Sequence, residues 1–82
     1  MNIRDEIKEE LGQKIIEWNE HSSKRIYFTI DKKDIFKTAE FLFRQLGLRF
    51  ATASGIDTPK GFEILYHFSF DKTGEFYTVR VL

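Results

Sequence analysis

Two histidines, His21 and His67, and the aspartates Asp31, Asp34, Asp57 and Asp71 are among the residues of this 82-residue chain that could do acid–base or metal chemistry. Nucleophilic catalysis needs a Ser, Thr, Cys or Lys held beside a base that a third group orients. Neither histidine sits in such a spacing. His21 falls in a polar break, where a histidine at a helix end is favoured by the dipole. His67 alternates outward on a prospective strand, with no second His, Cys or paired carboxylate at ligand spacing. The four aspartates sit at turns or helix starts, and capping explains each. Gly47, Gly55 and Gly61 are too dispersed to cradle a phosphate. There is no Cys, which excludes a disulfide scaffold, a thiolate zinc site and a Cys-ligated iron–sulfur cluster within this chain. These residues predict a chain that is not an enzyme by itself, with no catalytic, cofactor-binding or metal-ligating residue and no cofactor of its own.

Lys60-Gly61-Phe62 opens like the central strand of an RNA-recognition motif, basic–Gly–aromatic. The next positions fail, because Glu63 replaces a small residue and Ile64 replaces an aromatic that would stack on a base. Thirteen basic and thirteen acidic residues leave no net charge, whereas phosphate recognition wants a basic surplus. No nucleic-acid partner is expected. No run of about eighteen apolar residues offers a membrane span, and the N-terminus lacks a secretory h-region, so no direct membrane insertion is expected.

The elements that position these residues follow from periodicity. Ile3, Ile7, Leu11, Ile15 and Trp18 recur at three- and four-residue steps and predict a helix over residues 3–19, with Asn2 as its N-cap and an acidic polar face. Gly12 weakens the middle of that helix by about 1 kcal/mol relative to Ala. Residues 25–30 alternate, with Ile26, Phe28 and Ile30 on one side and Tyr27 and Thr29 on the other, a first strand. Asp31 followed by Asp34 starts a second helix over residues 33–46. Its inward face is Ile35, Ala39, Leu42 and Leu46, widened by Phe36 and Phe43, with Phe41 off the stripe and Gly47 ending it. A weaker strand spans residues 48–57, where the small Ala51, Ala53 and Gly55 suggest close approach of a neighbouring element or a partner. A turn through Pro59, which Asp57 should cap or fix, leads into the strongest alternation in the chain. There Phe62, Ile64, Tyr66, Phe68 and Phe70 face one way, and Glu63, Leu65, His67 and Ser69 the other. This should be the longest strand and the spine of the sheet, with Tyr66 in the core. After a second turn at Asp71-Lys72-Thr73-Gly74, residues 75–82 form the last strand, with Tyr77, Val79 and Val81 on one face. Nine Phe, one Trp and three Tyr suffice for a dense core in so short a chain.

The expectation is a single α+β domain over residues 1–82, in the order α-β-α-β-β-β. One mixed four-stranded sheet with a C-terminal antiparallel meander packs on two helices. The first strand could lie beside the second or beside the last. Tyr27, Leu65 and His67 would line the outward sheet face, either as a contact for a partner or beneath the first helix, with Leu65 under Trp18.

The second half resembles the 30-kDa subunit family of respiratory NADH:quinone oxidoreductase (complex I), which is shared with membrane-bound, energy-converting [NiFe] hydrogenases. The segment Ala53-Ser54-Gly55-Ile56-Asp57, a short loop, Phe62-Glu63-Ile64-Leu65-Tyr66-His67-Phe68, a second loop and Tyr77-Thr78-Val79-Arg80-Val81 carries the likeness. The family reads as a small residue, an apolar residue, Asp, a loop, then Phe-Glu-Val-Val-Tyr-His-Leu. The matching motif positions are Asp57, Phe62, Glu63, Tyr66 and His67. The family's second, acidic–basic signature would fall beyond Leu82; the resemblance implies that it lies against the large subunit. The resemblance further implies a non-catalytic scaffold, an oxidoreductase subunit without a cofactor in an electron-transport complex. Its partners would be the large and iron–sulfur subunits, and it would be cytoplasmic and peripheral to the membrane through its complex. The alternative is a free-standing small α+β domain for protein binding or regulation. Genes for quinone-reductase or hydrogenase subunits beside its own would favour the first reading.

Overall fold

The computed structural model describes residues 2–81. The fold is α+β: two short helices lie on one face of a five-stranded mixed sheet. Helix α1 (Ile3–Leu11) starts where the sequence predicts, with the Asn2 side chain accepting a hydrogen bond from the Asp5 N–H at 2.9 Å. It buries Ile3, Ile7 and Leu11, one stripe at four-residue steps.

The helix ends at Leu11 and not near residue 19. Gly12 takes φ 29°, a conformation disfavoured for residues with a Cβ, and closes the helix by donating its N–H to the Lys8 carbonyl. After one 3-10 turn the chain extends as β1 (Ile15–Ser22) and folds back on β2 (Arg25–Ile30) as a hairpin. The reason the helical spacing misleads is visible in the register. Ile15 opposes Ile30 and Trp18 opposes Phe28, both on the helix-bearing side, with a register shift at Ile16 between them. The bulge inserts one extra residue, so two side chains three apart share a face in a strand. Trp18 stacks on Phe28 with ring centroids 5.4 Å apart. The expected four-stranded sheet thus gains a fifth strand from the second half of the expected helix. His21 and Ser22 belong to that strand and not to a break.

Strand β2 lies where expected and buries Ile26, Phe28 and Ile30. Asp31 accepts a hydrogen bond from the Lys33 N–H and opens a 3-10 turn. Helix α2 (Ile35–Glu40) follows, then a π-helical turn through Phe41–Gln45. The wider turn re-registers the chain. Thr38 and Leu42 are buried, and Ile35, Ala39, Phe41 and Leu46 pack around the core. Phe36 and Phe43, expected to widen the inward face, are instead 76% and 61% exposed, and Phe41 turns in.

Strands β3 (Arg49–Thr58), β4 (Gly61–Phe70) and β5 (Glu75–Val81) form the predicted antiparallel meander; the expected end of the last strand at Leu82 lies outside the described residues. The sheet order is β1-β2-β5-β4-β3, with β2 parallel to β5. The first predicted strand therefore sits beside the last. That pairing makes β5 the centre, with Tyr77, Val79 and Val81 alongside Ile26, Phe28 and Ile30. Strand β4, expected as spine and longest, stands one place from the edge and matches β3 at ten residues. Arg4 at the start of α1 ties the layers together, donating to Glu20 (3.0 Å), the Ser23 carbonyl (2.7 Å) and Glu75 (2.7 Å). No described helix is long and apolar enough to cross a membrane.

Candidate interaction surfaces

Both helices pack on the same side, so the opposite side of the sheet is open. Tyr27, Leu65 and His67 all lie on it. Tyr27 opposes Thr78 across β2 and β5, His67 opposes Thr78 across β4 and β5, and Leu65 opposes Arg80. Tyr27 and His67 line one shallow cleft of about 250 Å³ with Arg25, Phe76 and Thr78. The alternative in which α1 covers this face is excluded, because Trp18 stacks on the helix-bearing side while Leu65 points to the other.

His67 is held at both ring nitrogens. Nδ1 meets the Thr78 hydroxyl at 3.2 Å and Nε2 the Ser54 hydroxyl at 3.3 Å. One nitrogen donates and the other accepts, and either hydroxyl can adapt. The imidazole thus bridges β5 to β3 across β4 with no carboxylate to orient it as a base. Glu63 lies on the open side, as its alternation predicts, yet it is only 4% exposed. The Arg80 guanidinium explains this: Nε donates to Oε1 at 2.8 Å and Nη2 to Oε2 at 3.0 Å, a two-pronged pair that removes the carboxylate from water.

The remaining motif positions face the other way. Asp57 and Phe62 oppose each other near the tip of the β3–β4 hairpin, and Tyr66 packs half-buried on the helix-bearing side, near Phe50. The five motif residues do not converge on one site. Asp57 does not fix the turn. Thr58 does so, its hydroxyl accepting from the Lys60 N–H at 3.2 Å and donating to the Gly61 carbonyl at 2.7 Å. The close approach suggested by small residues is real at Gly55, where an added Cβ would collide with the tip of the Phe62 ring.

A second surface was not legible as such. Phe36 and Phe43 from α2 and the following turn, with Phe50, Tyr66 and Phe68 from the sheet, line an apolar depression of about 390 Å³. Its signal was the pair of phenylalanines seven residues apart, which a helix of uncertain orientation assigns equally well to core or solvent. Among the described residues no three His, Asp or Glu side chains are grouped as a metal cage.

What these residues present is an open sheet face and, on the opposite, helix-bearing side, an aromatic depression. No protein-family model and no curated protein sequence matches the chain. Among solved structures, a chain of the membrane-bound sulfane sulfur reductase, an archaeal respiratory membrane complex, has a similar fold. The TM-score is 0.76 at 19% identity, over 96% of this chain and 46% of that one. This chain therefore spans less than half the length of its structural neighbour.

Proposed function

We propose that this protein is a non-catalytic structural subunit of a respiratory membrane complex of the complex I or energy-converting hydrogenase type. The observation that carries the reading is the fold shared along nearly the whole chain with a chain of an archaeal respiratory membrane complex. The strand motif ending in Tyr66-His67-Phe68 points the same way. The partners are the complex's large and iron–sulfur subunits, and the protein sits peripherally on the cytoplasmic side of the membrane through them. The open sheet face supports this role, because His67 is tied up by two hydroxyls while Tyr27, Leu65 and Phe76 remain available for contact. The test is affinity purification of the tagged, full-length native protein from solubilised membranes. Stoichiometric recovery of large and iron–sulfur subunits is expected. Recovery of the protein alone from the soluble fraction would overturn the proposal. Leu65→Ser with His67→Ala should weaken assembly if the open face docks; unchanged assembly would move the contact elsewhere.

A further inference from the structure

The two edges of the sheet are built oppositely. Strand β1 is interrupted by register shifts at Ile16 and His21 and carries Glu17 and Glu20. Bulges and charges are the devices that keep an edge from pairing with another chain. Strand β3 has little of this. Over residues 50–56 (Phe-Ala-Thr-Ala-Ser-Gly-Ile) it carries no charge and no proline. Its pairing with β4 runs unbroken from Thr52 to Thr58, with one irregularity at Ala51. Among the described residues nothing pairs with its outer side. A row of backbone N–H and C=O groups on such an edge is satisfied by water, by side chains singly or, along its whole length, by another extended backbone.

The side chains narrow the choice further. On the helix-bearing side β3 shows Phe50, Ala53 and Gly55. The Phe62 ring lies across Gly55, and Phe50 packs against Phe68 at 5.6 Å. Ala53 is thus a low point between two aromatic walls.

We propose that β3 accepts an added strand from a partner protein: an extended, uncharged segment with bulky apolar side chains at alternate positions. Its backbone pairs with residues 50–56, and its bulky side chains fill the space over Ala53 between Phe50 and Phe62. Main-chain hydrogen bonds supply affinity and the alternation supplies specificity. A second copy of this chain fits poorly. Paired about residues 53–55, it would bring its own Ala53 and Gly55 to that low point and leave it unfilled. The inference names one contact of the assembly proposed above and rests on that reading for the origin of the donor.

The edge itself is tested with a probe. The full chain is titrated with a soluble synthetic peptide that alternates valine and threonine between terminal lysines, and backbone amides are followed by NMR. Shifts and about tenfold slower amide exchange are expected over residues 50–56, with the Tyr27–His67 cleft unaffected. N-methylating alternate peptide amides should abolish the effect. Thr52→Lys with Ile56→Lys, both on exposed positions, should weaken binding about tenfold at an unchanged melting temperature. Absence of binding, or shifts confined to the open sheet face, would overturn the proposal. A dimer in sedimentation that Thr52→Lys dissolves would give the edge to a second copy and overturn the partner assignment. Recovery of the native protein without partners would remove the respiratory role, while the peptide result would still decide the edge.

Discussion

Glu63 and Arg80 show how an alternation can be right about direction and silent about environment. The parity of β4 puts Glu63 on the open side, but its burial depends on a residue 17 positions later, which only the β4–β5 register brings alongside. Arg80→Met would leave that carboxylate without its partner. Because Arg80 is itself 41% exposed on its side chain, water can partly replace it, and a loss of about 1–3 kcal/mol in urea unfolding is expected. Tyr77 carries the alkaline side of the pH dependence. Burial, aided by the charge of Glu75, pushes its hydroxyl up to about 12. A proton held more tightly in the folded state means full stability below the ordinary tyrosine value of about 10 and loss as pH rises from there towards 12. Its buried hydroxyl has no hydrogen-bond partner among the described residues, so Tyr77→Phe should be neutral to slightly stabilising at pH 7 and should flatten the alkaline loss in melts recorded against pH. At acid pH the sign reverses for Asp71, whose carboxyl is held below its usual value by hydrogen bonding to Arg49. Its contribution is complete above the ordinary carboxylate range and is lost as pH falls through the lowered value. Arg49→Gln should return the Asp71 titration, followed by NMR, to the ordinary range.

Among the elements, β2, the β3–β4–β5 meander and the start of α1 form as the sequence predicts, with β2 and β4 carrying the clearest alternation. Residues 12–22 mislead for a single physical cause. A bulge at Ile16 puts Ile15 and Trp18 on one face, and an i, i+3 pair in sequence cannot distinguish that from a helical step. Gly12 is the available counter-signal, since a glycine that weakens the middle of a helix can equally mark its end. The strand register makes a discriminating prediction. Ile15 is half-buried against the core, whereas Ile16 is the exposed extra residue of the bulge. Ile15→Asp should cost about 2–4 kcal/mol by placing a charge against the core, while Ile16→Asp should stay within about 0.5 kcal/mol, as surface changes do. Equal costs in urea unfolding would contradict the register. The position of β2 beside β5 was beyond sequence reasoning for a different reason. Both β3 and β5 offer a strand of compatible length, and the choice is made by packing across the sheet, where Ile26, Phe28 and Ile30 meet Tyr77, Val79 and Val81 under the helices.

At the scale of the whole molecule, two short helices cannot cover a five-stranded sheet on both sides, or even one side completely. The chain measures 37 × 23 × 21 Å, and β3 and β4 at ten residues each outlast the seven of β5. The uncovered surface is therefore a consequence of the architecture, and its composition is what carries information. Phe36, Phe43, Phe50 and Phe62 remain exposed on or near the helix-bearing side, a density of large aromatics that a free-standing small domain does not need for its own stability. If these side chains belonged to the core, replacing Phe36 and Phe43 would each cost about 1.5–3 kcal/mol. Since α2 and the turn after it hold both rings in solvent, Phe36→Glu with Phe43→Glu should change unfolding free energy by less than about 1 kcal/mol in total, as paired surface substitutions do. The same variant should bind less of a hydrophobic dye and, on the function proposed above, be taken up poorly into the respiratory complex. A folded variant that still assembles fully would remove the aromatic depression from the interface and leave the open sheet face and the β3 edge as the remaining contacts. An unfolded variant would mean that α2 and the π-helical turn after it do not orient the two rings outward.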